Sequence, residues 1–380
     1  MLAASPIFLR VLSWRGSDMA IEIESFFAQT YDQARARFLD AAQARGLAIE
    51  RAIHPHALGP AGEPLSIDTA CFLPERPGAL LVLTSGIHGV EGFCGSGCQV
   101  GLLRDDALFA RLAAGRVALL MVHAVNPYGF AHLRRVNEDN VDLNRNNADF
   151  AAVASANPAY REVDPLLLPD TWPPDAANQA ALHRYLATHG EAALRDAMTI
   201  GQYAIPDGMF YGGGATCWST AQARAILSSH AADAPRLAWI DLHTGLGAHG
   251  HGEKIFSGAD PRELERAIGT WGADVRPIAA AGAVSSVVEG ALVDRAGALF
   301  PAVEKTVITL EFGTLEPMAV MQALRADHWL HRHPGASPDQ AAAIRQGLRD
   351  AFYCDTPAWK GMVYAQARVA VLQAVARFSG

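Results

Sequence analysis

The 380-residue chain predicts an α/β fold, a largely parallel sheet covered by helices, on three observations. Four short apolar runs, at 79–85, 116–125, 238–242 and 306–310, are bounded by turn residues and have the length of buried strands. Stretches of helical periodicity lie among these runs, which is the grammar of β-α-β units and hence of parallel pairing. Half of the residues are hydrophobic and the formal net charge is only −8, so the chain buries a large core rather than staying disordered.

Taken in order, Phe26, Tyr31, Ala34, Phe38, Ala41 and Ala42 recur at helical spacing and predict a helix between Ile21 and Gly46. Short strands at 48–55 and 65–73 flank the turn Gly59-Pro60-Ala61-Gly62. The run Ala79 to Ser85 sits between Pro77-Gly78 and Gly86, followed by a helical pattern over 91–112 and the strand run Arg116 to Val125. The segment 126–175 lacks periodicity and is rich in Asn, Asp, Arg and Pro, and so long an irregular stretch inside a domain points to function or to hidden elements. Helices follow at 176–197 and 219–232, then the strands Ala238 to Leu242 and Thr306 to Leu310, and helices again from about Pro317 onward. With no repeat, low-complexity tract or linker, residues 19–380 are expected to form one domain. Residues 1–18 are expected to be a poorly ordered extension, because Pro6, Arg10 and Arg15 leave no apolar stretch of signal-peptide length; Met19 is an alternative start, and the expected location is cytoplasmic.

Composition also sets aside several function classes. No apolar run approaches the roughly 20 residues of a spanning helix. The basic residues are dispersed in an acidic chain, which argues against nucleic acid as a partner. The five cysteines are odd in number and lack a CxxC; Cys94 and Cys98 lie in Gly-Phe-Cys-Gly-Ser-Gly-Cys, where Gly95, Ser96 and Gly97 read as a helix approaching a sheet closely. Gly86, Gly89 and Gly92 do not make a dinucleotide fingerprint, and no GxSxG elbow of a serine hydrolase occurs.

Chemistry concentrates where the strands end, the edge at which open α/β sheets bind ligands. After the strand 79–85 come His88 and Glu91, three apart, a nitrogen and an oxygen donor suited to zinc. His243 directly follows Trp239-Ile240-Asp241-Leu242 and supplies a third donor from a second strand end. Glu311 closes the fourth strand in Leu310-Glu311-Phe312-Gly313; a carboxylate there is ion-paired, metal-bound or a base for water. Within the irregular segment lie Arg134-Arg135-Val136-Asn137 and Asn140-Val141-Asp142-Leu143-Asn144-Arg145-Asn146. Arg135 suits a developing oxyanion, and Asn144 with Arg145 suits a substrate carboxylate, through forked hydrogen bonds. Singly, each has a structural explanation as good: a core histidine, a salt bridge, a surface loop.

Together, HxxE after a strand, Asn126-Pro127-Tyr128-Gly129, an arginine, Asp142-Leu143-Asn144-Arg145-Asn146, a strand-end His and a last strand-end Glu resemble the zinc carboxypeptidases of the carboxypeptidase A type (funnelin metallopeptidases). The resemblance spans about 79–315 and is greatest to a little-characterised bacterial branch, through Gly201-Gln202-Tyr203 and Phe210-Tyr211-Gly212-Gly213. It implies a mixed, largely parallel twisted sheet with helices on both faces, and one zinc ion per chain on His88, Glu91 and His243. It further implies Glu311 as general base and proton donor, Arg135 (or its neighbour Arg134) on the scissile carbonyl, and Asn144 and Arg145 on the terminal carboxylate. Asp142 would orient the first zinc histidine.

One feature departs from that family. Its mobile tyrosine between the last zinc histidine and the catalytic glutamate has no counterpart, since residues 244–310 contain no tyrosine. Tyr203 and Tyr211 in the preceding loop are the candidates for that place, with Tyr211 assigned to the substrate. The expected activity is hydrolysis of an amide bond adjacent to a free carboxylate, in a peptide or, as the alternative, an N-acyl amino acid or other small amide. A zinc-binding scaffold without activity is the remote alternative. His249-Gly250-His251-Gly252-Glu253 is expected to line a loop near the cleft, and His328, His331 and His333 to sit at a helix end without a role.

Overall fold

The central strands form where an apolar run is long enough to be buried on both faces, as over Ala79–Ser85 and Val117–His123. The computed structural model describes residues 23–153, 157–231, 234–280, 282–285 and 287–379. The extension expected over 1–18 lies outside these. Among the described residues, eight strands form one sheet: β1 (Ala48–Leu58), β2 (Pro64–Phe72), β3 (Ala79–Ser85), β4 (Val117–His123), β5 (Arg236–His249), β6 (Gly252–Phe256), β7 (Arg276–Pro277) and β8 (Glu304–Gly313). Their order is β1-β2-β4-β3-β5-β8-β6-β7. The centre, β4-β3-β5-β8, is parallel, while β2 pairs antiparallel with β4 and with β1, and β6 antiparallel with β8. The mixed, largely parallel sheet expected from the sequence is what forms.

Helices cover both faces. Against one face pack α1 (Tyr31–Ala44), α2 (Gly92–Leu103) and α3 (Asp106–Gly115), around Phe38, Phe93, Leu83 and Ile240. After α4 (Pro127–Ala131), α5 (Tyr160–Leu167) and α6 (Ala176–Thr199), helix α7 (Trp218–Ala231) packs on the other face with Trp239, Val82 and Phe300. Helix α8 (Pro261–Trp271) and α11 (Pro357–Phe378) return to the first face, and α9 (Pro317–Arg332) and α10 (Pro338–Phe352) join α5 and α6 in a third cluster around Phe210, Tyr160 and Phe352. Alternation along β5 is clean: Ala238, Ile240 and Leu242 face the first cluster, so Trp239, Asp241 and His243 face the second.

Several boundaries differ from the sequence reading. The first long helix starts at Tyr31, because the Thr30 hydroxyl accepts from Gln33 N at 3.2 Å and caps it. The helix expected over 91–112 is two, divided where Asp105 caps α3 through Leu108 N. The irregular segment holds three short helices, at Pro127–Ala131, Phe150–Val153 and Tyr160–Leu167. Strands β6 and β7 and helix α8 were not expected. The His249–Glu253 stretch is a turn joining β5 to β6, which pair with opposite edges of β8, and His249 Nδ1 lies 2.8 Å from Thr314 O.

Candidate metal centre

The site begins with register. Thr84 of β3 pairs with Asp241 of β5, and His243 of β5 pairs directly with Glu311 of β8, so the end of β3, His243 and Glu311 lie at neighbouring levels of three parallel strands. Beyond β3 the chain turns through a single 3-10 turn, Gly89–Glu91, and enters α2. That turn is held from outside: Gly89 N donates to Arg135 O and Val90 N to Arg134 O, each at 3.0 Å. It also needs glycine, since a Cβ on Gly89 would stand 2.0 Å from the Gly129 carbonyl carbon. Similarly a Cβ on Gly95 would meet Ser85 Cβ at 2.5 Å, which confirms the close helix–sheet approach read from the cysteine-bearing stretch. Cys94 and Cys98 are buried free thiols.

The result brings His88, Glu91 and His243 together, buried at 4%, 2% and 3% exposure, with one donor atom from each within 4.8 Å of the others. Both imidazoles turn Nδ1 to Glu91, His88 at 2.8 Å from Oε1 and His243 at 3.0 Å from Oε2. Both turn Nε2 to a fully buried aspartate: His88 lies 3.2 Å from Asp142 Oδ1 and His243 2.7 Å from Asp241 Oδ2. A neutral imidazole has one proton to offer two carboxylates. A metal ion taking both Nδ1 lone pairs would leave the His243 Nε2 proton on Asp241, the arrangement in which metal-ligating histidines are usually found. Thr244 N donates to Glu91 Oε2 at 3.0 Å and fixes the carboxylate's plane.

Electrostatics agree with a cation at this point. Burial works against charge on Glu91, yet His88 and His243 outweigh it and hold the carboxyl well below its usual range. Asp142 is also held far down against burial, by Arg135, His88 and Arg145. Burial opposes charge on His243 as well, but Asp241 and Glu91 raise its pKa well above the ordinary value. Glu311 goes the other way: burial, then the charge on Glu91, push it up to about 7. Its Oε1 accepts from Leu246 N at 3.0 Å. The donor chemistry, two imidazole nitrogens and a carboxylate among further buried acids, fits zinc.

Around the trio the two arginines separate. Arg134 points away, its Nε 3.2 Å from both Asp327 oxygens and its Nη2 donating to Asn140 Oδ1 at 2.9 Å. Arg135 enters the site: Nε donates to Asp142 Oδ2 at 3.0 Å, Nη1 lies 3.4 Å from Glu91 Oε1 and Nη2 2.8 Å from His88 Nε2. Asn144 is engaged at both ends, its N donating to Asp142 Oδ1 and its Oδ1 accepting from Leu292 N. Arg145 donates Nε and Nη2 to Thr199 O, the last carbonyl of α6, and Nη1 to Asn144 O, leaving two of its five N–H groups. Tyr203 donates to Arg145 O at 2.7 Å, while the half-buried Tyr211 accepts from Asp142 N through its carbonyl. His328 is buried in α9, His331 lies beside Arg134 and His333 stacks on Trp329, all away from the trio.

Sequence reasoning missed Asp241, although an acid two residues before His243 on the same strand face was a signal for it. It also missed Thr84, whose hydroxyl donates to Asp241 Oδ1 at 2.5 Å while accepting from Trp239 Nε1 at 2.9 Å. Asn126 appeared only as part of a motif; fully buried, it caps α4 through Gly129 N and donates Nδ2 to Arg135 O. Phe210, under both Arg135 and Arg145, left no signal that residue type alone would reveal.

The chain belongs to the family described as "Protein of unknown function (DUF2817)", which matches residues 27–366. Among solved structures it is similar to the carboxypeptidase A from Helicoverpa armigera, at 12% identity over 92% of this chain and 76% of that one, TM-score 0.45. It is also similar to bovine thrombin-activatable fibrinolysis inhibitor, at 10% identity over 87% and 97%, TM-score 0.44. A metallo-carboxypeptidase from Pseudomonas aeruginosa is similar at 16% identity over 86% and 69%, TM-score 0.33. No curated protein matches it by sequence.

Proposed function

We propose that the chain is a zinc-dependent, metallopeptidase-like hydrolase that cleaves an amide bond adjacent to a free carboxylate. The observation that carries this reading is the pair of imidazoles, each with Nδ1 on Glu91 and Nε2 on an aspartate, beside a fourth carboxylate, Glu311, that burial holds near neutrality. A scaffold that merely stored a metal would need no such acid. When bound, zinc supplies Lewis acidity toward a carbonyl oxygen and lowers the pKa of water from 15.7 to about 7.

The chain's own groups do the rest. His88, Glu91 and His243 hold the ion, with Asp241 keeping the His243 Nε2 proton in place and Asp142 orienting His88. Glu311 accepts a proton from water at a carboxylate oxygen and returns it to the leaving nitrogen, work for which a pKa near the working pH is best suited. Arg135 donates N–H groups to the charge that develops on the carbonyl oxygen. Asn144 and the two unused N–H groups of Arg145 receive the substrate's carboxylate, with Tyr211 lining the approach. The substrate is a peptide or, because residues 244–310 offer no tyrosine to close over a peptide end, an N-acyl amino acid. No helix among the described residues is long and apolar enough to cross a membrane.

The deciding experiment strips the protein with a chelator, adds zinc back, and follows hydrolysis of N-acyl amino acids and blocked dipeptides in wild type and Glu311→Gln. The expected result is one zinc per chain in both, zinc-dependent turnover in wild type and a roughly 10²–10⁴-fold lower rate in the variant. Turnover that ignores zinc, or a variant with near-normal kcat, would overturn the reading.

A further inference from the structure

Phe210 holds φ at +54°, a left-handed backbone that bulky L residues rarely adopt. Such a conformation persists only where the surroundings over-determine it, and here they do. Gln202 N donates to Phe210 O at 3.1 Å and Gly212 N donates to Gln202 O at 2.9 Å. The Gln202 side chain, fully buried, donates to Ile205 O and Met209 O and accepts from Ala204 N and Ile205 N. On the next residue, Tyr211 O accepts from Asp142 N at 2.8 Å. This frame sets the Phe210 ring against two arginines, with the guanidinium carbons of Arg135 and Arg145 each 5.4 Å from its centroid.

Both cations lie near the same buried acid, Asp142, yet only Arg135 bonds it, through Nε at 3.0 Å. Among the described residues Arg145 forms no ion pair; its guanidinium is 4% exposed with the rest of its residue and rests on two backbone carbonyls. A buried guanidinium without a carboxylate is under strong pressure to find one. We propose that Phe210 is a positioning residue whose ring holds the guanidinium of Arg145 in place, so that Arg145 is kept off Asp142 and its two remaining N–H groups stay open to a substrate carboxylate. The aromatic face attracts both cations at once, each desolvated contact being worth on the order of tenfold or more in an equilibrium. Without the ring, Arg145 closes on Asp142, which removes the carboxylate receptor and loosens the partner of His88. This rests on the reading above that Arg145 receives the substrate's carboxylate.

The test measures binding of N-acetyl-L-phenylalanine and of its amide by calorimetry, in chelator-treated protein and in zinc-loaded protein carrying Glu311→Gln to prevent turnover, so that a carboxylate held by metal is distinguished from one held by Arg145. Wild type, Phe210→Leu, Phe210→Tyr and Arg145→Ala are compared, with Phe210→Met standing in if the leucine variant does not fold. The expected result is at least a tenfold loss of acid affinity in Phe210→Leu with amide affinity nearly unchanged, a several-fold loss of zinc affinity, and wild-type behaviour in Phe210→Tyr. If Phe210→Leu keeps the acid preference, or weakens acid and amide alike, while Arg145→Ala abolishes the preference, the role given to Phe210 is wrong and the carboxylate receptor stands. If wild type itself does not prefer the acid, the carboxylate receptor falls and the role of Phe210 falls with it.

Discussion

Replacing Asp241 by Asn changes one atom in a carboxylate that is fully buried on β5 opposite Thr84 of β3, and the consequences can be worked through its two neighbours. Oδ1 accepts from the Thr84 hydroxyl at 2.5 Å, and Oδ2 lies 2.7 Å from His243 Nε2. Should the new amide turn its NH₂ to His243, Nε2 must accept, the ring proton moves to Nδ1, and the lone pair a metal needs is gone. Turned the other way, the NH₂ meets Thr84 Oγ1, which already accepts from Trp239 Nε1, and the hydroxyl proton loses its acceptor. The second orientation costs a buried hydrogen bond, about 1–3 kcal/mol, the first costs the Nδ1 lone pair, and both remove the negative charge that makes His243 a stronger donor. Losing such a partner typically weakens metal affinity 10–100-fold, or about 1.4–2.8 kcal/mol. Competition titration of zinc against a chromophoric chelator reads this directly, with circular dichroism as the check on folding. A folded Asp241→Asn variant with wild-type zinc affinity would refute the claim that His243 binds metal through Nδ1.

Arg145→Ala should raise KM for free-acid substrates much more than for their amides, while Arg135→Ala should mainly lower kcat, by about 2.7–4 kcal/mol of transition-state stabilisation; steady-state kinetics on paired acid and amide substrates separate the two. Stability should also fall with acid for a reason remote from the site. Burial, the main cause, lowers the pKa of His123 from 6.5 to about 4, so below about pH 6.5 the unfolded chain binds a proton that the folded chain refuses, and up to about 3 kcal/mol is lost by pH 4. Denaturant titrations at pH 7 and pH 5 should show this loss in wild type and a shallower one in His123→Gln; equal slopes would point to other groups.

The central strands were legible because burial on both faces requires continuous apolar runs, and 79–85 matched β3 residue for residue. Pairing direction was not legible: β2 carries no mark of running antiparallel to β4, since direction depends on which strand arrives beside it. The length of β5 was hidden too. It runs seven residues past Leu242 with a bulge between Gly245 and His249, and Gly245 and Gly247 adopt φ of +139° and +104°, which a strand pattern does not anticipate. Helix α8 could have been found, because Asp260-Pro261 is the same cap-and-proline start as Asn126-Pro127, Ser337-Pro338 and Thr356-Pro357. In the site, the residues read in advance were those whose chemistry is conspicuous at a strand end. Those missed act through position: Asp241 reads as part of an apolar strand until the period of two puts it beneath His243, and Phe210 acquires its place from a loop frame no periodicity describes.

The register of the sheet and the chemistry of the site are one problem. From Trp239 a continuous series of contacts runs through Thr84, Asp241, His243, Glu91, His88 and Asp142 to Arg135, every link between 2.5 and 3.2 Å. It depends on Thr84 lying opposite Asp241 and His243 opposite Glu311. A slip of one residue in β5 would send Asp241 and His243 to the opposite face, among Leu83, Phe93 and Phe312, where a buried carboxylate has no partner. The cost of that alternative helps hold the native register. Yet the series itself brings Glu91, Asp142 and Asp241, with Glu311 alongside, out of water, and Arg135 is the only ion-paired arginine among them. Buried like charges of this kind are compensated by protons or by a cation. His243, driven up by Asp241 and Glu91, supplies a proton in the bare protein, and Glu311, driven up to about 7, takes another as neutrality is approached. A divalent ion on the two Nδ1 atoms would displace the first and restore Glu311 to the state in which it can accept one, which would tie the readiness of the proposed base to occupancy of the site.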